Sequence, residues 1–233
     1  MRMRKKKHGA ERLERCRDFL AEKIEISDTG APVWLEIGAG KGGFACGMTE
    51  KNPTVRYFAM ERVTDCVVLA AERAKELYDS TGACANLKFV IDTADNLTNL
   101  FDNGSVDAMF LNFSDPWSKK GYAKRRLTHR RYLSVYFNLL KDGGVLTFKT
   151  DNVGLFDFSL EEIAAMGLEC EAVTRDLHAS EYAADNVVTE YEAAFSAEGV
   201  KINMLRVRKP AGFAPEIPQD LARGSSRVRL GAD

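Results

Sequence analysis

Leu35-Glu36-Ile37-Gly38-Ala39-Gly40-Lys41-Gly42-Gly43-Phe44 is the stretch that decides the fold. An apolar run from Val33 ends in Gly38, Gly40 and Gly43, the G-x-G-x-x-G spacing that turns a strand into a helix and lets a nucleotide approach the backbone closely. Outward from it, short apolar runs at 57–60, 87–91, 107–113 and 144–149 alternate with amphipathic stretches at 44–51, 64–80, 95–101 and 124–140. That rhythm predicts an α/β domain with a parallel sheet covered by helices. A further helix is expected at 11–23, ahead of the first strand. After Asp151 the pattern predicts a helix at 155–166 and strands near 168–175 and 200–208, with 190–196 leading into the last of them. Beyond Pro210, three prolines and a Gly-Ser-Ser turn lack periodic apolar residues, so a loose tail is expected. The expected division is a basic arm and helix over 1–30, the main domain over 31–209, and a flexible tail over 210–233.

With 233 residues, 45% of them hydrophobic, the chain can bury one substantial core. Five cysteines (Cys16, Cys46, Cys66, Cys84 and Cys170) show no C-x-x-C spacing, which argues against a disulfide framework and against a zinc site, so no metal is expected. No run is long and apolar enough to span a membrane, and the basic opening at 1–7 has no hydrophobic region behind it. A cytoplasmic protein is expected.

The net charge is only -1, so the distribution of charge says more than its sum. From Pro116 to Lys141 there is no acidic residue, while Lys119, Lys120, Lys124, Arg125, Arg126, Arg130, Arg131 and Lys141 are all basic. Such a run is either a phosphate footprint or a solvated helix face. It follows Asn112-Phe113-Ser114-Asp115-Pro116-Trp117, where an open α/β sheet places its ligand crevice, outside the carboxyl ends of its strands. A second cationic patch, Arg2, Arg4, Lys5, Lys6 and Lys7, opens the chain.

The glycine spacing alone serves a nicotinamide dinucleotide or S-adenosylmethionine equally, and Glu61 after the second strand suits the ribose hydroxyls of either. Two residues favour methyl over hydride transfer. Glu36, before the first glycine, would repel a pyrophosphate and suits the cationic end of S-adenosylmethionine, although Lys41 could answer a phosphate. Asp115 stands after the fourth strand, where an acceptor would meet the methyl group.

Four motifs in order make the reading specific: Glu36-Ile37-Gly38-Ala39-Gly40-Lys41-Gly42; Phe113-Ser114-Asp115-Pro116-Trp117-Ser118-Lys119-Lys120 with Lys124-Arg125-Arg126-Leu127; Lys149-Thr150-Asp151-Asn152; and Thr189-Glu190-Tyr191-Glu192. In these the chain resembles the bacterial tRNA (guanine-N7-)-methyltransferase family, and its basic opening is similar to that of Gram-positive-type members. The resemblance implies a Rossmann-like class I methyltransferase fold, a mostly parallel seven-stranded sheet with helices on both faces. It implies S-adenosylmethionine as methyl donor, tRNA as partner, and N7 of guanosine 46 in the variable loop as acceptor, in a monomer or a homodimer. A catalytically idle RNA-binding relative is the second reading and a dinucleotide-dependent oxidoreductase the third.

Carried over by that resemblance, Glu36, Gly38, Gly40, Glu61 and Asp115 line the donor pocket, and Asp115 is the catalytic carboxylate. Lys119, Asp151, Thr189, Glu190, Tyr191 and Glu192 contact the substrate; Gly121, Tyr122, Ala123, Lys124, Arg125 and Arg126 contact RNA. Where the family has Asp-Ala after the third strand, this chain has Thr93-Ala94, so either Thr93 or Asp92 meets the adenine. Asp151 or Glu192 is expected to read the Watson–Crick edge of guanine, whose N–H donors call for carboxylate acceptors. The alternative for Thr189 to Glu192 is a capped strand entry with ordinary surface glutamates. Tyr122 either stacks on a base or packs against Trp117.

Overall fold

The computed structural model describes residues 6–21, 24, 26 and 30–224; Arg2, Arg4 and Lys5 of the basic arm and residues 225–233 lie outside them. The strands are β1 (Val33–Ile37), β2 (Arg56–Met60), β3 (Leu87–Val90), β4 (Val106–Asn112), β5 (Leu140–Thr150), β6 (Cys170–Thr174) and β7 (Asn203–Arg208). Among the described residues they form one seven-stranded sheet in the order β3-β2-β1-β4-β5-β7-β6. The first five run parallel, and β7 enters antiparallel between β5 and β6. Strand order reverses between β1 and β4, which opens a crevice beyond their carboxyl ends.

Side chains alternate across each strand, so the two faces of the sheet build two cores. Leu35, Ile37, Met109, Leu111, Leu146 and Phe148 face one core, closed by α5 (Arg130–Leu139) and α6 (Val153–Ala165). Tyr57, Ala59 and Phe89 face the other, closed by α2 (Gly43–Lys51) and α3 (Thr64–Thr81). Ahead of the sheet lies α1 (Gly9–Glu14), α4 (Leu97–Leu100) precedes β4, and α7 (Glu190–Ala197) leads into β7. At Gly42 the chain takes a φ of 76°, and a Cβ there would meet the Ala70 Cβ at 2.8 Å. Glycine is what lets the turn after β1 lie against α3.

Three expectations are corrected. The helix expected over 124–140 is a 3-10 segment, Lys120–Arg125, followed by α5, whose start is capped by His129 Nδ1 accepting from the Arg131 amide at 3.1 Å. The helix expected over 11–23 stops at Glu14, where a turn drops Cys16 and Phe19 into the α3 core. The tail expected to be loose from Pro210 is packed as far as Gly224. Phe213, Ile217 and Leu221 lie on the core, the Asn138 amide donates to Pro215 O at 2.7 Å, and Arg131 pairs with Asp220 at 2.7 Å. No helix among the described residues is long and apolar enough to cross a membrane, and none of their His, Cys, Asp and Glu side chains group to hold a metal ion.

Candidate active site

Beyond the carboxyl ends of β1, β2, β3 and β4 lies a cleft of about 530 Å³. Gly38, Glu61, Asp92, Thr93, Asp95, Asn112, Ser114, Asp115, Trp117 and Arg125 line it. The glycine turn sets one wall. Gly38 and Ala39 donate their amides to Met60 O at 2.8 and 2.9 Å, and the Gly40 amide donates to Glu61 Oε2 at 3.0 Å. Glu61 also accepts from the Val63 amide at 2.8 Å, so its carboxylate is fixed in orientation with acceptor lone pairs left over. Asp92 is held similarly, accepting from the Thr93 amide and from Asn96 Nδ2, both at 2.7 Å. Asp95, which sequence reasoning missed, accepts from the Tyr132 hydroxyl at 2.8 Å.

The opposite wall is a strained loop. Phe113 (φ 51°) and Trp117 (φ 42°) both take left-handed backbone, which costs roughly 1–3 kcal/mol for a side chain of this kind. This conformation brackets Asp115 and holds its carboxylate out: the side chain is 70% exposed, with Arg62 Nη2 at 3.9 Å. Beside it, Ser114 Oγ is buried and has no hydrogen-bond partner among the described residues. A buried orphan hydroxyl, a lone-pair-bearing Glu61 and a carboxylate at the mouth suit a polar ligand with ribose hydroxyls and a cationic end, which is the chemistry of S-adenosylmethionine.

Glu36 is not on this wall. Alternation along β1 sends Ile37 toward the cleft side and turns Glu36 to the other face, where it is 2% exposed. There Asn112 Nδ2 donates to it at 3.0 Å and the Tyr57 hydroxyl at 3.4 Å. Burial outweighs those bonds and the nearby Lys149 charge, pushing the Glu36 carboxyl up to about 7. Asn112, which lines the cleft, links Glu36 to that wall.

Glu192 departs further from expectation. It is fully buried, and its oxygens are taken by Lys149 Nζ at 2.8 Å, His178 Nε2 at 2.7 Å and Asn186 Nδ2 at 2.6 Å. Burial disfavours its charge, but Lys149 and His178 more than compensate and hold the carboxyl below its usual range. Glu192 thus cannot present itself to a base. Thr189 and Glu192 instead form a capping box at the start of α7. Glu190 pairs with Arg73 of α3. Tyr191 faces outward, 47% exposed, its ring 5.1 Å from that of Phe113. Burial and then the Asp151 carboxylate push its phenol up, so Asp151, just past the end of β5, lies within electrostatic reach of Tyr191 on α7.

The basic run divides into two sets. Arg130 pairs with Glu162, Arg131 with Asp220, and Lys141 with Asp107. Arg126, expected on the RNA side, turns inward: it donates to Pro116 O at 2.9 Å and Trp117 O at 3.2 Å, with its guanidinium 4.3 Å from the Phe158 ring. Lys119, Lys120, Lys124 and Arg125 are exposed and meet no described carboxylate within ion-pair distance. Tyr122 packs edge to face on Trp117 at 5.8 Å, with Arg125 stacked over both rings. Gly121 and Ala123 lie in the same 3-10 segment.

A mostly parallel seven-stranded sheet, a glycine turn after its first strand and a cleft at the reversal of strand order define a Rossmann-like class I methyltransferase. Solved structures agree on the fold: the 16S rRNA methyltransferase KamB matches 90% of this chain and 96% of its own with a TM-score of 0.58 at 14% identity. An antibiotic-related methyltransferase matches 88% and 96% with a TM-score of 0.57 at 18% identity. The family model described as "Putative methyltransferase" matches residues 30–205. A tRNA (guanine-N(7)-)-methyltransferase of Streptococcus agalactiae is 38% identical over 216 residues, 89% of this chain and all of the relative. One from Halalkalibacterium halodurans is 41% identical over 74% of this chain and 76% of the relative. The chain belongs to the tRNA (guanine-N7-)-methyltransferase family. This membership sets aside the dinucleotide-dependent oxidoreductase.

Proposed function

We propose that the protein transfers the methyl group of S-adenosylmethionine to N7 of a guanosine in tRNA, and that the acceptor is guanosine 46 of the variable loop. The observation that carries this reading is the meeting of two features in one cleft: Asp115 at its mouth, and Arg125 of the exposed basic loop on its wall. S-adenosylmethionine supplies an electrophilic methyl group on a sulfonium. Guanine N7 has an available lone pair and no proton at neutral pH, so the protein must orient the base rather than deprotonate it.

In this reading Gly38, Gly40 and Glu61 receive the ribose, Thr93 and Asp92 the adenine side, and Asp115 faces the reacting atoms. As the N–C bond forms and the C–S bond breaks, positive charge passes into the purine. A preorganised carboxylate there stabilises that charge by up to several kcal/mol, in the manner of other fixed electrostatic sites. Asp151 accepts from the Watson–Crick N–H donors, with Tyr191 beside it as a platform for the ring. Lys119, Lys120, Lys124 and Arg125 answer phosphates, so affinity falls steeply with salt.

The test is transfer of labelled methyl from S-adenosylmethionine to unmodified tRNA and to a tRNA with adenosine at position 46. Label on the first alone supports the whole reading. Label on both moves the acceptor elsewhere, and label on neither with donor bound favours a catalytically idle RNA-binding relative.

A further inference from the structure

Lys149 lies at the end of β5, 3% exposed, with an ammonium that donates to three acceptors on the β6–β7 connection: Asn186 Oδ1 at 2.9 Å, Val187 O at 3.0 Å and Glu192 Oε2 at 2.8 Å. Glu192 in turn takes His178 Nε2 and Asn186 Nδ2 and closes the cap on Thr189, whose amide donates to Glu192 Oε2 at 3.3 Å. One buried carboxylate therefore gathers Lys149, His178, Asn186 and Thr189, drawn from four places along the chain. Burial depresses Lys149, and the facing Glu192 and Glu36 partly offset it.

Apolar packing holds only part of this connection: Leu177 and Tyr182 pack with Ala172, Ile202 and Met204. Beneath it the sheet face is open as a groove of about 420 Å³, floored by Trp34, Phe110 and Thr147 and roofed in part by Tyr182, Asn186 and Val187. Where the floor is open, polar contacts fix the connection's height over the sheet. Both walls of the proposed acceptor place depend on that height. Asp151 is two residues beyond Lys149, just past the end of β5, and Tyr191 is the neighbour of Glu192 on α7.

We infer that Lys149 and His178 are positioning residues for the acceptor base: through Glu192 they clamp α7 to the end of β5 and so set the spacing between Asp151 and Tyr191. This rests on the reading of that place as the guanosine site. The clamp residues neither line the cleft read as the donor site nor belong to the exposed basic loop. Loss of the clamp should therefore leave both affinities in place and misalign the base, which lowers kcat with little change in KM.

The experiment compares wild type, Lys149→Met, His178→Ala and His178→Gln by hydrogen exchange over residues 176–197, by S-adenosylmethionine binding, and by steady-state tRNA methylation. Lys149→Met is expected to lose amide protection in that segment, to keep donor affinity, and to lower kcat roughly thirtyfold with tRNA KM within about threefold. His178→Ala should do the same more weakly, near fivefold, and His178→Gln should restore it because a glutamine amide still donates to Glu192. Unchanged protection, or lost protection with kcat intact, overturns the clamp, as does a rise in tRNA KM alone. If Lys149→Met does not fold, the two variants at half-exposed His178 decide by the same criteria. A wild type that methylates no tRNA refutes the proposed function instead, while the exchange data still report on the clamp.

Discussion

The guanidinium of Arg125 stacks on two aromatic rings at once, 5.0 Å from that of Trp117 and 4.8 Å from that of Tyr122. Such stacking fixes a cation without neutralising it, and contributes about 0.5–1 kcal/mol at an exposed site. Arg126, one residue on, spends its donors on Pro116 O and Trp117 O.

Neighbouring arginines should therefore behave differently. Arg125→Ala is expected to weaken tRNA binding and to reduce the slope of log affinity against log salt by about 1, as loss of a single phosphate contact does. Arg126→Ala should leave that slope unchanged while loosening the loop. Filter binding across a salt series measures both, and equal slopes for the two variants would contradict the division.

Asp115→Asn keeps size and hydrogen-bonding capacity and removes the charge. Single-turnover methylation is expected to slow by about 10²–10³, the range seen when one preorganised electrostatic group is lost, with donor affinity nearly unchanged. A rate within a few-fold of wild type would remove Asp115 from the chemical step.

Glu36 makes stability depend on pH. Its folded value of about 7 lies above its unfolded one, so its contribution is fully present below about pH 4.5 and lost as pH rises through about 7. Glu36→Gln lacks this dependence. Relative to that variant the wild type should lose up to about 3 kcal/mol between pH 4.5 and 8, a bound set by 1.36 kcal/mol per pH unit. Thermal unfolding of both proteins across that range gives the answer, and parallel profiles would show that Glu36 does not titrate there.

Leu221 is 1% exposed, and its carbonyl accepts from the Thr98 hydroxyl at 2.7 Å. Leu221→Ala should cost about 2–4 kcal/mol, as for other buried leucines. Urea denaturation measures the loss, and a cost below about 0.5 kcal/mol, the level of a surface substitution, would mean that the tail does not contribute to the core.

How far the sequence was legible depended on how local each signal was. The run from Val33 and the glycines after it gave β1 and its turn, because a central parallel strand is apolar on both faces and ends where its turn residues say. The break before α5 was hidden. Lys124 to Leu140 reads as one helix, and only Thr128 and His129, weak cap signals, mark the new start. Phe213, Ile217 and Leu221 recur every four residues, but three prolines masked that spacing. At the site, Thr189 to Glu192 read as a capped strand entry, whereas the S/T-x-x-E spacing there caps a helix through Glu192. The partners of Glu36 and Glu192 were illegible: Asn112, Tyr57, Lys149 and His178 come together only when β1, β4, β5 and the β6–β7 connection assemble.

Arg125 belongs to the exposed basic loop and also lines the cleft with Asp115. Any polyanion that draws this side chain toward itself must rearrange the cleft wall, and any small molecule that favours one placement of the wall must favour one placement of the loop. Linkage makes that preference reciprocal: the factor by which one ligand alters the affinity of the other is the same in both directions. A single side chain at the seam thus couples the affinities of the two substrates by one factor, whichever of them arrives first.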